Sequence, residues 1–299
     1  MNPLKHISYL SSCDLCGADR SRHGTQLVSG RESLCGVFVP ISISVCRRCR
    51  FISQSERFSD ELLTSLYELD TSFVFGDAEE DQQAIQSGLL ERQEVISKAM
   101  ISHGMTEGAA VLDVGGGRGE CCRHLVEEHR VVVADTTESP PVDPKIEKVL
   151  GLFSASLADS SFDVVVMNHV LEHVFSPTAL LASAHSILKE DGLLIVEVPF
   201  ELYTPLVARH LGDWRHVVYY CRATLQQFLE KSGFSVQRLA LEMGAYGARR
   251  MPVIRAVARK ELDTTLSVGN RRGHIAPLLA DMASPVVLAS LVRRALGRS

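Results

Sequence analysis

Through the middle of the chain, short apolar runs rich in β-branched residues alternate with stretches of helical spacing. Val111 to Val114, the run RVVVAD ending at Asp135, Ile146 to Leu150, the run ending at Met167, and LLIVEVP read as buried strands. Between the first two, ECCRHLVEEH places Cys122, Leu125 and Val126 on one helical face. Ser176 as N-cap and Pro177 open another helix, with apolar residues at 180, 181, 184, 187 and 188 and Gly192 past its end. Strand, helix, strand with short connections predicts an α/β fold with a doubly wound parallel sheet. An amphipathic helix carrying Leu225, Phe228 and Leu229, ended by Gly233, then precedes two closing strands, SVQRLALEM and PVIRAVARK.

The flanks read differently. Residues 1–55 hold two Cys-x-x-Cys pairs, and 56–104 read as a helical linker: one helix from Ser59 and a second from Gln82 to Ser102, closed by Gly104. The domain built on the alternating pattern spans 105–260. The tail, 261–299, departs in composition, and its apolar helix, interrupted at Pro285, offers a surface for the body or for a second copy.

Candidate chemistry begins where the first strand stops. Asp113 is followed by Gly115, Gly116, Gly117 and Gly119, a turn that lets a ligand approach bare backbone N–H groups. The dinucleotide fingerprint fails, because Glu120 stands where its last glycine is needed. Asp135 ends the second strand 22 residues beyond Asp113, the separation at which this topology delivers a carboxylate to ribose hydroxyls. Leu152 and Phe153, after the third strand, are candidates to flank an adenine, and Asn168 and His169 fall at the carboxyl edge of the fourth strand.

Cys13, Cys16, Cys46 and Cys49 make a four-thiolate set suited to a closed tetrahedral zinc site in a segment too small to build its own core. The 29 residues between the pairs exceed the usual spacing, and Cys35 between them reads as buried. Net charge of −5 argues against a nucleic-acid partner, since phosphate binding needs a basic face. The N-terminal stretch has no apolar core and the chain no run long enough to span a bilayer, so a cytoplasmic protein without a membrane partner is expected.

The motif D-x-G-x-G-x-G at Asp113, Gly115, Gly117 and Gly119 resembles the first motif of class I S-adenosylmethionine (SAM) dependent methyltransferases, and the turn with Leu171, Glu172 and His173 resembles their fourth. With the cysteine pairs in front, the chain to about residue 260 is similar to bacterial methyltransferases with an N-terminal zinc-binding domain, known among nucleotide-sugar and polysaccharide-cluster enzymes. The resemblance implies a Rossmann-like sheet beside a small zinc ribbon. It also implies loop N–H groups facing the methionine end of SAM, a loop ordered by Asp113, and methyl transfer to a small sugar-like acceptor. The sugar C-methyltransferases carry a Glu-His pair in the stretch after the fifth strand; here His216 fits the histidine but Arg215 replaces the glutamate, leaving O- and N-methylation as open as C-methylation. Histidine suits the base role near neutral pH, so His216 is the first candidate and His173 the second, with Tyr220 to orient the acceptor. An RNA methyltransferase reading its substrate through the ribbon, and a SAM-binding protein without turnover, are the rival expectations.

Overall fold

The computed structural model describes residues 3–34, 37–59, 62, 79–153, 162–203, 215–246, 249–261 and 275–288. The N-terminal unit contains β1 (Ile7–Tyr9), β2 (Gly24–Leu34), β3 (Val37–Cys46), β4 (Ile52–Gln54) and β5 (Glu56–Phe58). β2, β3 and β4 run antiparallel in sequence, and β1 pairs with β5. Of the helix expected from Ser59, only Ser59 and Leu62 are described, the Leu62 N–H donating to Ser59 Oγ at 3.2 Å; Phe73 and Phe75 lie outside the described residues, as do Cys35 and Trp214. The second linker helix is α1 (Glu79–Ser102), ended by Gly104 at φ +76°.

The main sheet follows with β6 (Ala110–Val114), β7 (Arg130–Asp135), β8 (Glu147–Leu150), β9 (Phe162–Asn168) and β10 (Leu188–Pro199). A two-residue strand β11 (Val218–Tyr219) comes next, then β12 (Phe234–Tyr246) and β13 (Arg249–Lys260). The order is β12-β13-β10-β9-β6-β7-β8, parallel from β10 to β8 and antiparallel on both sides of β13. This is the Rossmann-like arrangement. The chain winds outward from β6 and returns to β9 on its other side, so the carboxyl ends of β6 and β9 frame the crevice where such sheets bind ligands.

Strand alternation divides the core. Val111, Val131, Val133, Val164, Val166 and Ile195 face one side, where they meet Ile96, Ala99 and Met100 of α1. Leu112, Val114, Val132, Val165, Met167 and Val196 face the other, which is covered by α2 (Pro177–Ile187) and α3 (Arg222–Lys231). That second cluster also takes in Cys13, Leu15, Cys46, Cys49 and Phe51 of the ribbon, with the Phe51 ring edge-on to Phe228 at 4.9 Å. β11 is the edge strand of the ribbon's sheet, whose order is β11-β4-β3-β2.

One local expectation fails. The stretch after the glycine loop forms turns and one 3-10 turn (Arg123–Leu125) in place of a helix. Its N–H groups at 119, 122, 125 and 126 reach back three residues, which winds the chain more tightly than an α-helix. The helix opened by Ser176 forms as the sequence predicts, from Pro177 to Ile187 with Gly192 past its end, and Leu188 already pairs with Phe162. The tail contributes α4 (Ile275–Met282), whose buried Asp281 accepts the Arg222 N–H at 2.8 Å and the Arg222 Nε–H at 2.6 Å. Among the described residues no helix is long and apolar enough to cross a membrane. Arg293 and Arg294 fall outside the described residues.

Candidate active site

Backbone geometry forces the glycines of the first turn. Gly115, Gly117 and Gly119 hold φ of +65°, +60° and +87°, and a Cβ on Gly116 would lie 2.4 Å from the Asp113 carboxylate. Gly115 N–H donates to Ala134 O at 2.8 Å, tying the loop to β7. Gly117 N–H donates to Asp135 Oδ2 at 2.8 Å and Thr137 N–H to Oδ1 at 2.7 Å, so Asp135 braces the loop from the neighbouring strand. Asp113 is 1% exposed and, the Cys122 thiol apart, neither carboxylate oxygen has a partner among the described residues. Burial, opposed by the Cys122 thiol and aided by the charges of Asp135 and Glu120, pushes its pKa up to about 7. A buried carboxylate with one thiol for company, under a loop without side chains, fits a ligand that carries both charge and donor groups, as SAM does. Leu152 is exposed at the end of β8, while Phe153 packs against the main core.

The turn after β9 is built from ionic side chains. His169, at φ +54°, donates its backbone N–H to Glu197 O at 2.8 Å, and its ring spans two carboxylates, Glu172 Oε1 at 3.2 Å and Glu197 Oε1 at 2.9 Å. Burial opposes a charge on this ring, but the two carboxylates outweigh it and hold the pKa above the usual imidazole value. Glu197 is held in turn by Arg92 of α1 at 3.0 Å and Arg255 of β13 at 2.6 Å, and Arg255 also reaches Glu91 and Glu242. Burial works against the Glu197 charge, and these cations together with His169 nonetheless keep its pKa far below normal. Asn168 is half-buried, its side chain beside the Cys121 thiol.

The candidate bases meet across this turn. The rings of His173 and His216 stand edge to face, 4.8 Å apart. His173 Nδ1 lies 2.8 Å from Arg215 O, and its Nε2 faces Glu172 Oε1 at 3.8 Å. Burial lowers the His173 pKa more than Glu172 raises it, leaving a neutral imidazole at neutral pH. His216 Nδ1 lies 2.8 Å from Glu201 Oε1, just past the end of β10. Arg215 therefore does not leave the histidine without a glutamate: Glu201, just past the end of β10, brings a carboxylate beside it. Tyr220 is placed away from any acceptor, since it is 1% exposed and donates its hydroxyl to Leu171 O at 3.1 Å.

In the ribbon, Cys13 Sγ lies 3.5 Å from Cys49 Sγ and Cys16 Sγ lies 3.7 Å from Cys46 Sγ, with all four sulfurs within 4.8 Å of one another. A tetrahedral zinc with bonds of about 2.3 Å sets its sulfurs about 3.8 Å apart, so the set is of a size to hold one. Hydrogen bonding to Cys46, together with burial, pushes the Cys13 thiol up to about 12, while hydrogen bonds from Cys13 and Cys49 hold the Cys46 thiol far below its usual value.

A family model described as a methyltransferase domain matches residues 90–239, half of the chain. The chain belongs to that methyltransferase family. No curated protein matches it. Among solved structures it is similar to the 1,6-didemethyltoxoflavin-N1-methyltransferase of Burkholderia thailandensis, solved with 1,6-didemethyltoxoflavin and S-adenosylhomocysteine (SAH) bound. The TM-score is 0.52 at 17% identity, covering 74% of this chain and 96% of that one. The magnesium protoporphyrin IX methyltransferase of Synechocystis, with bound SAH, gives a TM-score of 0.49 at 16% identity, covering 66% of this chain and 95% of that one. The methyltransferase is thus a SAM-dependent enzyme of class I fold. Glu197, Glu201, Arg92 and Arg255 were not singled out from its sequence. A charge with apolar neighbours on both sides in the interior of a strand, Glu197 in LLIVEVP and Arg255 in PVIRAVARK, is the signal that points to these residues.

Proposed function

We propose that this methyltransferase acts on a small hydroxylated acceptor of the sugar or nucleotide-sugar class. The observation that carries the reading is the meeting of His173, His216 and Glu201 beside the glycine loop's crevice, a proton-accepting group at the acceptor side. That the Burkholderia enzyme was solved with a small molecule and SAH supports a small acceptor.

In this reading the turn from Gly115 to Gly119 brings backbone without side chains against SAM, the Gly115, Gly117 and Gly119 N–H groups themselves being given to Ala134 O, Asp135 Oδ2 and Gly116 O; Asp113 takes its charged or donor groups, and Asp135 its ribose. Leu152 and Phe153 border the adenine, and Asn168 and His169 close the methionine side. SAM supplies a sulfonium methyl that is already a strong electrophile. The protein's task is to align the acceptor oxygen or nitrogen and accept its proton. His216, with Nδ1 2.8 Å from Glu201 Oε1, receives that proton at Nε2, and His173 serves as the second acceptor. Cys13, Cys16, Cys46 and Cys49 hold one zinc ion that closes the ribbon. The tail supplies a surface for a second copy, and the protein works in the cytoplasm. A screen of nucleotide sugars with isotope-labelled SAM, read as transferred methyl by mass, tests the acceptor class. Methylation of RNA in the same screen, with no sugar methylated, would refute it.

A further inference from the structure

The ribbon and the acceptor side of the site share a strand. In β11, Val218 is paired with Ser53 and Tyr219 with Ile52 of β4, and Gln54 N–H donates to Val217 O at 2.8 Å. The same segment is bonded on its other side, where the N–H groups of Val217 and Val218 donate to Glu172 O at 2.8 and 3.2 Å. His216, which leads into this segment, is therefore suspended between the ribbon and the Leu171–His173 turn.

Each cysteine pair connects to that suspension. Cys46 N–H donates to Phe51 O at 2.9 Å, so the second pair sets the direction in which β4 leaves it. Between the first pair, Asp14 caps the opposite helix: Oδ1 accepts the Ser176 hydroxyl at 2.8 Å and Oδ2 the Thr178 N–H at 3.0 Å. Lys231 Nζ donates to Asp14 O at 2.8 Å. Ser176 opens α2 directly after the turn that carries Glu172 and His173. These bonds end on the turn, α2, α3 and β11, which is the acceptor side, whereas the glycine loop is braced by β7.

We propose that the closed ribbon is the positioning device for His216 and the Leu171–His173 turn, with Asp14 as a positioning residue, so that metal in the four thiols governs the acceptor side and not SAM binding. The inference rests on reading the four cysteines as a metal site. Groups facing His216 are Glu201 from the end of β10 and Glu172 and His173 from the turn, while Ile52, Ser53 and Gln54 of β4 are uncharged. The His216 titration curve thus reports where these carboxylates stand relative to the ring.

The experiment uses the full chain in three forms: zinc-loaded wild type, Asp14→Ala, and wild type stripped of metal under reducing conditions. For each, zinc is measured by elemental analysis, SAH affinity by calorimetry, and the His216 titration midpoint by NMR, with the signal assigned by its loss in His216→Gln. The expected result is one zinc per chain and SAH affinity within about twofold in Asp14→Ala, while the His216 midpoint moves by about half a pH unit or more. Stripping should move it further in the same direction. A midpoint unmoved in zinc-loaded Asp14→Ala overturns the proposal, as does a parallel loss of SAH affinity or of zinc in that variant. Wild type that binds no zinc overturns the metal reading itself, a separate failure visible in the elemental analysis.

Discussion

The two halves of the crevice are made of different material. The half under the glycine loop is backbone, shaped by positive φ and the absence of side chains, with one buried carboxylate beneath it. The half around the Leu171–His173 turn is side chain: three histidines, three glutamates and two arginines from β9, β10, β13, α1 and the segment before β11. A universal cofactor can be met by a fixed backbone, whereas an acceptor must be met by groups whose chemistry varies. The two halves should therefore fail in different ways.

The largest effect is expected on the side-chain half. Glu197→Ala leaves Arg92, Arg255 and His169 without their shared buried carboxylate, and should cost about 3–5 kcal/mol in chemical unfolding. A loss below about 1 kcal/mol would mean that the network is solvated and the contrast between the halves overstated. His216→Ala should lower turnover of an acceptor found in the nucleotide-sugar screen by about 10²-fold or more, with SAH affinity unchanged by calorimetry. Turnover equal to wild type would take His216 out of the chemistry. On the backbone half, Gly116→Ala drives a Cβ to 2.4 Å from the Asp113 carboxylate and should cost roughly 1–3 kcal/mol, about ten- to hundredfold in SAH affinity. Wild-type affinity in that variant would show that the loop is not the cofactor's seat.

A further effect on the backbone half is a pH slope. Burial raises the Asp113 pKa in the folded state, so the native protein binds this proton more tightly than the unfolded chain. The contribution to stability is complete below about pH 4 and is lost as pH rises to about 7, with a slope of at most about 1.4 kcal/mol per pH unit. Asp113→Asn should flatten the SAH-free stability profile across that window, and an unaltered profile would place the proton elsewhere.

The same division explains what could be read from the sequence. A backbone that needs left-handed conformations leaves glycines in order, so Gly115, Gly117 and Gly119 announce the loop, and the apolar runs announce the strands beneath it. The helix expected after the loop did not form, because residue pattern alone does not separate an α-helix from tight turns over ten residues. Side-chain clusters leave no such local trace. Glu201 and His216 belong together only once β10 and β11 are placed, and the replacement of a neighbouring glutamate by Arg215 looked like a loss until the carboxylate arrived from another strand. The ribbon's cysteines were legible for the glycines' reason, since a fixed local spacing serves a fixed geometry.

The pairing of Ser53 with Val218 also bears on how the chain folds during synthesis. Its two partners are separated by more than half of the polypeptide, so the outer edge of β4 has no strand beside it until most of the protein has left the ribosome. Until then that edge offers unpaired backbone groups to any neighbouring nascent chain. Late pairing over so long a separation is slow, which makes completion of this one small strand a candidate for the rate-limiting event in maturation.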